Sequence, residues 1–276
     1  MPRVLPQAAR LLALGEEIKE KARKHGTTET RKVLFGVFRA SVLPCFCVLS
    51  VAFVALMVGW PFVMTYAQTP GGLTAEERKA GWKLLFDGKS LAGWQGFKTP
   101  TPGTGWKAID GILTREAEGG DILTVEEFGD FELSLEWRLA KGGNSGIFFH
   151  VIKEGDAAWW SGPEVQVLDN AVHRDGKDAI TSAGSNYAVH PPVRDVTKPV
   201  GEWNTVRLLV KGPHVEHWMN GVKIVDYELW SPDWEARVKA SKFGKIPMYG
   251  RSKRGHIALQ DHGDPVWYRN IKIRPL

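Results

Sequence analysis

Several stretches of this sequence bring acidic, amide, imidazole and guanidinium side chains into phase with one another. Glu136 and Arg138 lie two residues apart, as do Glu164 and Gln166. His256, Gln260 and His262 share one parity, opposite Ile257 and Leu259, and His214, Glu216 and Trp218 share another. Residues two apart project from the same side of a β-strand. A plain solvent face is mostly Lys, Thr and Ser. Faces of Glu, Gln, His, Arg and Trp instead suit a polar groove that bonds a ligand and exchanges protons with it. Glu164 stands out because its carboxylate interrupts a Val-rich segment, where it must find a partner. His262 falls in Gln260-Asp261-His262-Gly263-Asp264, a polar loop at a strand end, where function concentrates. The other positions also have plainer readings. Glu136 and Arg138 could form a surface ion pair worth under about 1 kcal/mol. His256 could pack at a strand start, Asp169-Asn170 could close a turn, and Asn144 could serve the geometry of a Gly-rich turn.

Trp159 and Trp160 form an adjacent pair in a loop-like stretch where burial is not compelled. Indole faces cover the C–H face of a sugar while polar neighbours bond its hydroxyls, so this pair points to carbohydrate.

These residues need strands to hold them. Phe131 to Leu139 alternates without a break, with Phe131, Leu133, Leu135, Trp137 and Leu139 on one face. Further short segments follow at 146–151, 164–169, 203–210, 214–219, 222–226, 256–260 and 266–273. Asn220-Gly221 is a type I′ hairpin signal. Short helices are expected only at 74–80 and 232–239, the second started by Ser231-Pro232-Asp233. Many short strands with Gly, Pro, Asn and Asp between them mean an all-β sandwich or jelly roll.

The prefix differs. Residues 1–41 hold nine Lys/Arg against four Asp/Glu, which accounts for the whole formal net charge of +5. The remainder is neutral, so the basic pI is no argument for nucleic-acid binding. Residues 42–67 carry no charged side chain and contain both cysteines, Cys45 and Cys47. This run reads as an N-terminal apolar helix, either a signal peptide ending at Ala67 or a membrane anchor, with the domain exported in both cases. Residues 68–80 form a linker and 81–276 the folded domain. Without cysteines, that domain has no disulfide framework and no thiol nucleophile. G-x-S-x-G, P-loop, Rossmann and H-E-x-x-H motifs are absent, which removes serine acyl transfer, nucleotide binding and zinc proteolysis from consideration.

One set of motifs, in order along 81–276, resembles a known family. It runs from Leu85-Phe86-Asp87-Gly88-Lys89-Ser90-Leu91-Ala92-Gly93-Trp94 through Trp106, Asp110-Gly111, Gly143-Asn144-Ser145-Gly146 and Gly162-Pro163-Glu164-Val165-Gln166-Val167-Leu168-Asp169. It ends with Gly201-Glu202-Trp203-Asn204, Asn220-Gly221, Leu259-Gln260 and Arg269-Asn270-Ile271. The chain resembles the bacterial 3-keto-disaccharide hydrolases. The resemblance implies a concanavalin-like jelly roll, an exported or periplasmic location, and action on glycosides oxidised at C3. A C3 ketone acidifies the C2 proton, the resulting enolate needs positive charge, and the C1 oxygen leaves with a proton. Combined with strand phase, this suggests Glu164 as base, His262 as acid and Arg138 as the cationic group. Gln166 and Asn144 would orient the substrate, with Asp169, Gln260, Glu136, His256, Trp159 and Trp160 binding sugar. A divalent metal ion held by Glu164 and Asp169 stays open as a cofactor, as does an oxidoreductase partner that supplies the keto-sugar. Two rivals remain: a direct glycosidase using Glu136 and Glu164, and a non-catalytic carbohydrate-binding module.

Overall fold

The computed structural model describes residues 72–276. The apolar run at 42–67 lies outside them, and among the described residues no helix is long and apolar enough to cross a membrane.

After a short helix, α1 (Ala75–Lys79), the chain forms thirteen strands: β1 (Lys83–Leu84), β2 (Trp94–Gly96), β3 (Trp106–Ile109), β4 (Ile112–Arg115), β5 (Ile122–Phe128), β6 (Phe131–Leu139), β7 (Asn144–Val151), β8 (Glu164–Leu168), β9 (Asn204–Lys211), β10 (His214–Met219), β11 (Val222–Glu228), β12 (Gly255–Leu259) and β13 (Val266–Pro275). A second helix, α2 (Pro232–Ala240), falls between β11 and β12. The strands make two antiparallel sheets. The larger runs β11-β10-β9-β6-β13-β4-β3, with β1 also on β13; the smaller runs β2-β5-β12-β7-β8. This is the jelly-roll β-sandwich expected from the strand pattern.

Alternation explains how the sheets pack. Leu133, Leu135 and Trp137 of β6 are buried in one core with Ile147 and Phe149 of β7, Val165 and Val167 of β8, and Ile257 and Leu259 of β12. The Ser145 and Tyr268 hydroxyls, 2.8 Å apart, join the two sheets through this core. The even-numbered residues of β6 and β8 therefore point away from the core, each from its own sheet. Asn220 and Gly221 have φ of 50° and 80°, the left-handed pair that a type I′ turn requires between β10 and β11.

Strand β8 ends the small sheet, and its outer edge is not left bare. Residues 184–187 bond along it: Gly184 N donates to Gln166 O at 2.8 Å, Gln166 N to Ser185 O at 3.1 Å and Tyr187 N to Glu164 O at 3.1 Å. The helix α2 is set by Ser231, whose hydroxyl accepts from Trp234 N, and by Pro232 at its first position. Stacked rings then tie it down. Phe243 stacks on Tyr249 at 3.9 Å, Tyr249 on Trp234 at 6.0 Å, Trp234 on Tyr227 at 5.5 Å and Tyr227 on His190 at 4.5 Å. This series fixes the 3-10 turn Lys242–Lys245 that follows the helix.

Candidate functional site

The outward face of the small sheet carries Glu164 and Gln166 on β8, Asn144 on β7 and Gln260 at the end of β12. Pairing places Gly146 opposite Gln166 and Phe148 opposite Glu164, and Gln260 N donates to Gly146 O at 2.9 Å. Gly146 matters sterically, because a Cβ there would collide with Glu164 Oε1. A bare glycine thus makes the space that the carboxylate occupies. Gly146→Ala is expected to displace that carboxylate and, on the reading of Glu164 as base, to cut kcat/KM by about 10²-fold, since small misplacements are costly. Steady-state kinetics beside a melting curve would separate this loss from unfolding.

Glu164 is only 4% exposed, and its carboxylate has no hydrogen-bond partner among the described residues. Burial pushes its ionisation up to about 8, against the attraction of Lys242 and with the repulsion of Asp121 and Asp175. Partial desolvation depresses Lys242, an exposed residue. On the same sheet face, the side-chain oxygens of Asn144 and Gln260 are also buried without partners. Most buried polar groups are bonded, so this cluster of unused acceptors and an unbonded carboxyl suits a ligand rich in hydroxyl donors.

His262 meets this group from the loop after β12. Its Nε2 lies 3.4 Å from Asn144 Nδ2, and its ring stands edge-on to His173 at 6.3 Å. The loop is held rigidly. Asp261 pairs with Arg115 at 2.6 Å, their side chains 4% and 6% exposed, and accepts from Gly119 N and Gly120 N. Arg115 Nη1 donates to Gly263 O at 2.6 Å. Asp264 accepts from Asn144 N. Asp261 N in turn donates to Asp121, whose carboxyl burial raises to about 6.

Gln166 bonds Thr181 O at 3.5 Å, which turns it toward the covering segment. Trp159 borders the site: it packs on the apolar cluster of Leu123, Phe148 and Ala258, and Lys242 Nζ lies 5.7 Å from its ring. Trp160, 5.9 Å from Trp159, packs beside Gly155 and Met248.

Four sequence expectations are not brought into this group. Arg138 and Glu136 project from the outward face of the large sheet, with two sheets about 10 Å apart intervening. There Arg138 lies between the rings of Trp203 and Trp267, at 4.8 Å from each. Glu136 bonds Arg269 and Asn270. Phase identified their face correctly, but not their sheet. The pairing of Glu136 with Glu164 as two carboxylates across one bond is therefore unavailable. His256 sits at the far end of β12, 3.5 Å from Glu127, beyond the Leu123–Phe148–Ala258 cluster. Asp169 follows Glu164 by five residues of extended chain, roughly 16 Å, and on the opposite parity. Its oxygens accept from Gly142 N and Ala171 N, and it lines a separate cavity of about 650 Å³ with Trp137, Leu168 and Asn204. Glu164 and Asp169 cannot share an ion. Among the described residues the one group close enough to hold a metal is His214, Glu216 and Asp226 on the large sheet, where Lys223 already bonds both carboxylates.

Sequence reasoning missed Lys242, Tyr187, Asp175, His173 and Asp121. Tyr187 bonds Asp175 at 3.0 Å. The polar run after β8 was a signal for His173 and Asp175; nothing periodic marked Lys242.

Residues 81–274 match the family described as a 3-keto-alpha-glucoside-1,2-lyase-like domain. This chain belongs to that family. A 3-keto-disaccharide hydrolase from Bacteroides thetaiotaomicron is 36% identical over 228 residues, covering 71% of this chain and 79% of that protein. Two crystal structures from Parabacteroides distasonis, described as candidate glycosyl hydrolases, share the fold. One is 35% identical with a TM-score of 0.71, covering 75% of this chain and 100% of the other. The second is 28% identical with a TM-score of 0.57, covering 71% and 99%. The chain is thus an enzyme of a glycoside-cleaving family.

Proposed function

We propose that this enzyme cleaves glycosides oxidised at C3, in two half-reactions at Glu164 and His262. Glu164 takes the C2 proton, and the electron pair moves through C3 onto the ketone oxygen. The pair returns, C1=C2 forms and the C1–O bond breaks. His262 gives its proton to the departing oxygen. Water then adds across C1=C2, its oxygen at C1 and a proton at C2, so the net change is hydrolysis. The observation that carries this reading is the buried, unbonded carboxyl of Glu164 on one sheet face with the free amide oxygens of Asn144 and Gln260. A base raised toward neutral pH is suited to removing a carbon-bound proton, and the 1,2-lyase-like description of the family agrees with elimination across C1 and C2.

The test is to incubate the purified protein with methyl 3-keto-α-glucoside and with methyl α-glucoside. Release of methanol from the keto-sugar alone supports the proposal. Release from the unoxidised sugar indicates an ordinary glycosidase, and binding without release indicates a binding module. Residues 42–67 further support export, either as a cleaved signal or as an anchor, with an oxidoreductase in the same compartment forming the ketone.

A further inference from the structure

We propose that Lys242 is the catalytic cation that holds the enolate oxygen. This rests on the elimination reading above and supplies what that reading lacks once Arg138 is on the other sheet. Lys242 begins the 3-10 turn after α2, and its neighbour Phe243 is buried and stacked on Tyr249, which fixes the backbone. Its Nζ lies 4.2 Å from the Tyr187 ring centroid, 5.1 Å from that of Phe243 and 5.7 Å from that of Trp159. Tyr187 is joined to Glu164 by its backbone hydrogen bond. The ammonium thus lies against three aromatic rings at the edge of the Glu164 site, on a residue that remains exposed.

Ring faces attract an ammonium by cation–π contact, and its exposure leaves it accessible to a bound substrate. None of the ion pairs within 4 Å among the described residues uses Lys242. The charged and titratable groups facing it are Glu164 from β8 and Asp175 and Tyr187 from the covering segment, while Asp121, before β5, acts on Glu164. Glu164 and Asp175 are the two whose charge it feels. When Glu164 accepts the C2 proton its charge disappears and a new negative charge appears on the C3 oxygen. A cation held nearer to the C3 oxygen than to the carboxylate meets that charge as it develops, and so favours the transition state.

The decisive measurement is exchange of the C2 hydrogen of methyl 3-keto-α-glucoside in D2O, followed by NMR alongside methanol release. Lys242→Ala and Lys242→Met are expected to slow both by about 10²–10³-fold, as loss of one anion-stabilising donor does. Ethylammonium should restore part of the Ala variant's rate, and Lys242→Arg should retain more than Met. The acid limb of kcat/KM should move to higher pH in the Met variant, because Glu164 loses the attraction that favours its ionised form. Wild-type exchange rates in folded Lys242→Ala would overturn the assignment. A wild-type protein that neither exchanges nor releases methanol would instead overturn the elimination reading itself.

Discussion

Glu164→Gln is expected to lower turnover of a 3-keto-glycoside by about 10²–10⁴-fold, the contribution of a positioned proton acceptor. The amide keeps the shape of the side chain, so sugar affinity should survive, as equilibrium binding can show. The pH dependence carries the sign. Only ionised Glu164 accepts the C2 proton, so wild-type kcat/KM should fall as pH drops below the raised value of about 8. Folding stability runs the other way. The unfolded chain releases this proton in the ordinary carboxyl range, whereas the folded protein keeps it to about 8. Between those values the native state binds more protons, so stability declines as pH rises and then levels off. Urea melts at several pH values should show this slope in the wild type and a shallower one in the Gln variant. A Gln variant with full turnover removes Glu164 from the chemistry.

Arg115→Met should produce the largest loss of stability, about 3–5 kcal/mol. It leaves Asp261 buried and without its ion pair. For a domain of this size that corresponds to roughly 6–20 °C in Tm. Because Asp261 and Gly263 bracket His262, catalysis should decline before global unfolding. A double change to Arg115→Met with Asp261→Leu should recover part of the melting temperature but not the activity, because the amides of Gly119 and Gly120 lose their acceptor. Calorimetry with kinetics at low temperature would check both. A wild-type melting curve for the single variant contradicts the account.

Much of the sandwich could be read from alternation. Strand β6 occupies the segment with unbroken period-two pattern, and β10 and β11 meet at the Asn-Gly turn. The five N-terminal strands were harder to see. In β5, Val125, Glu126 and Glu127 are all exposed, because β2 pairs only with Ile122 to Thr124 and β12 shifts register alongside. Period two breaks where a neighbour ends. Site residues followed the same logic. Parity correctly grouped Glu164 with Gln166 and Glu136 with Arg138, since it depends on one strand alone. Which sheet a strand joins depends on pairings distant in sequence, and parity is silent there. Lys242 and Tyr187 come from a helix-end turn and an irregular segment, where no period operates. They are placed by ring stacking and by hydrogen bonds to β8.

The segment between β8 and β9 does two jobs at once. Its residues 184–187 satisfy the free edge of β8, and its His173, Asp175 and Tyr187 form a wall of the site. An uncovered strand edge is a template for pairing with another molecule. Evolutionary retuning of substrate choice through this wall therefore acts on the element that covers the edge of β8. Changes that suit a bulkier leaving group by loosening residues 184–187 would trade solubility for breadth, while changes confined to residues 173–175 leave the protective bonds intact.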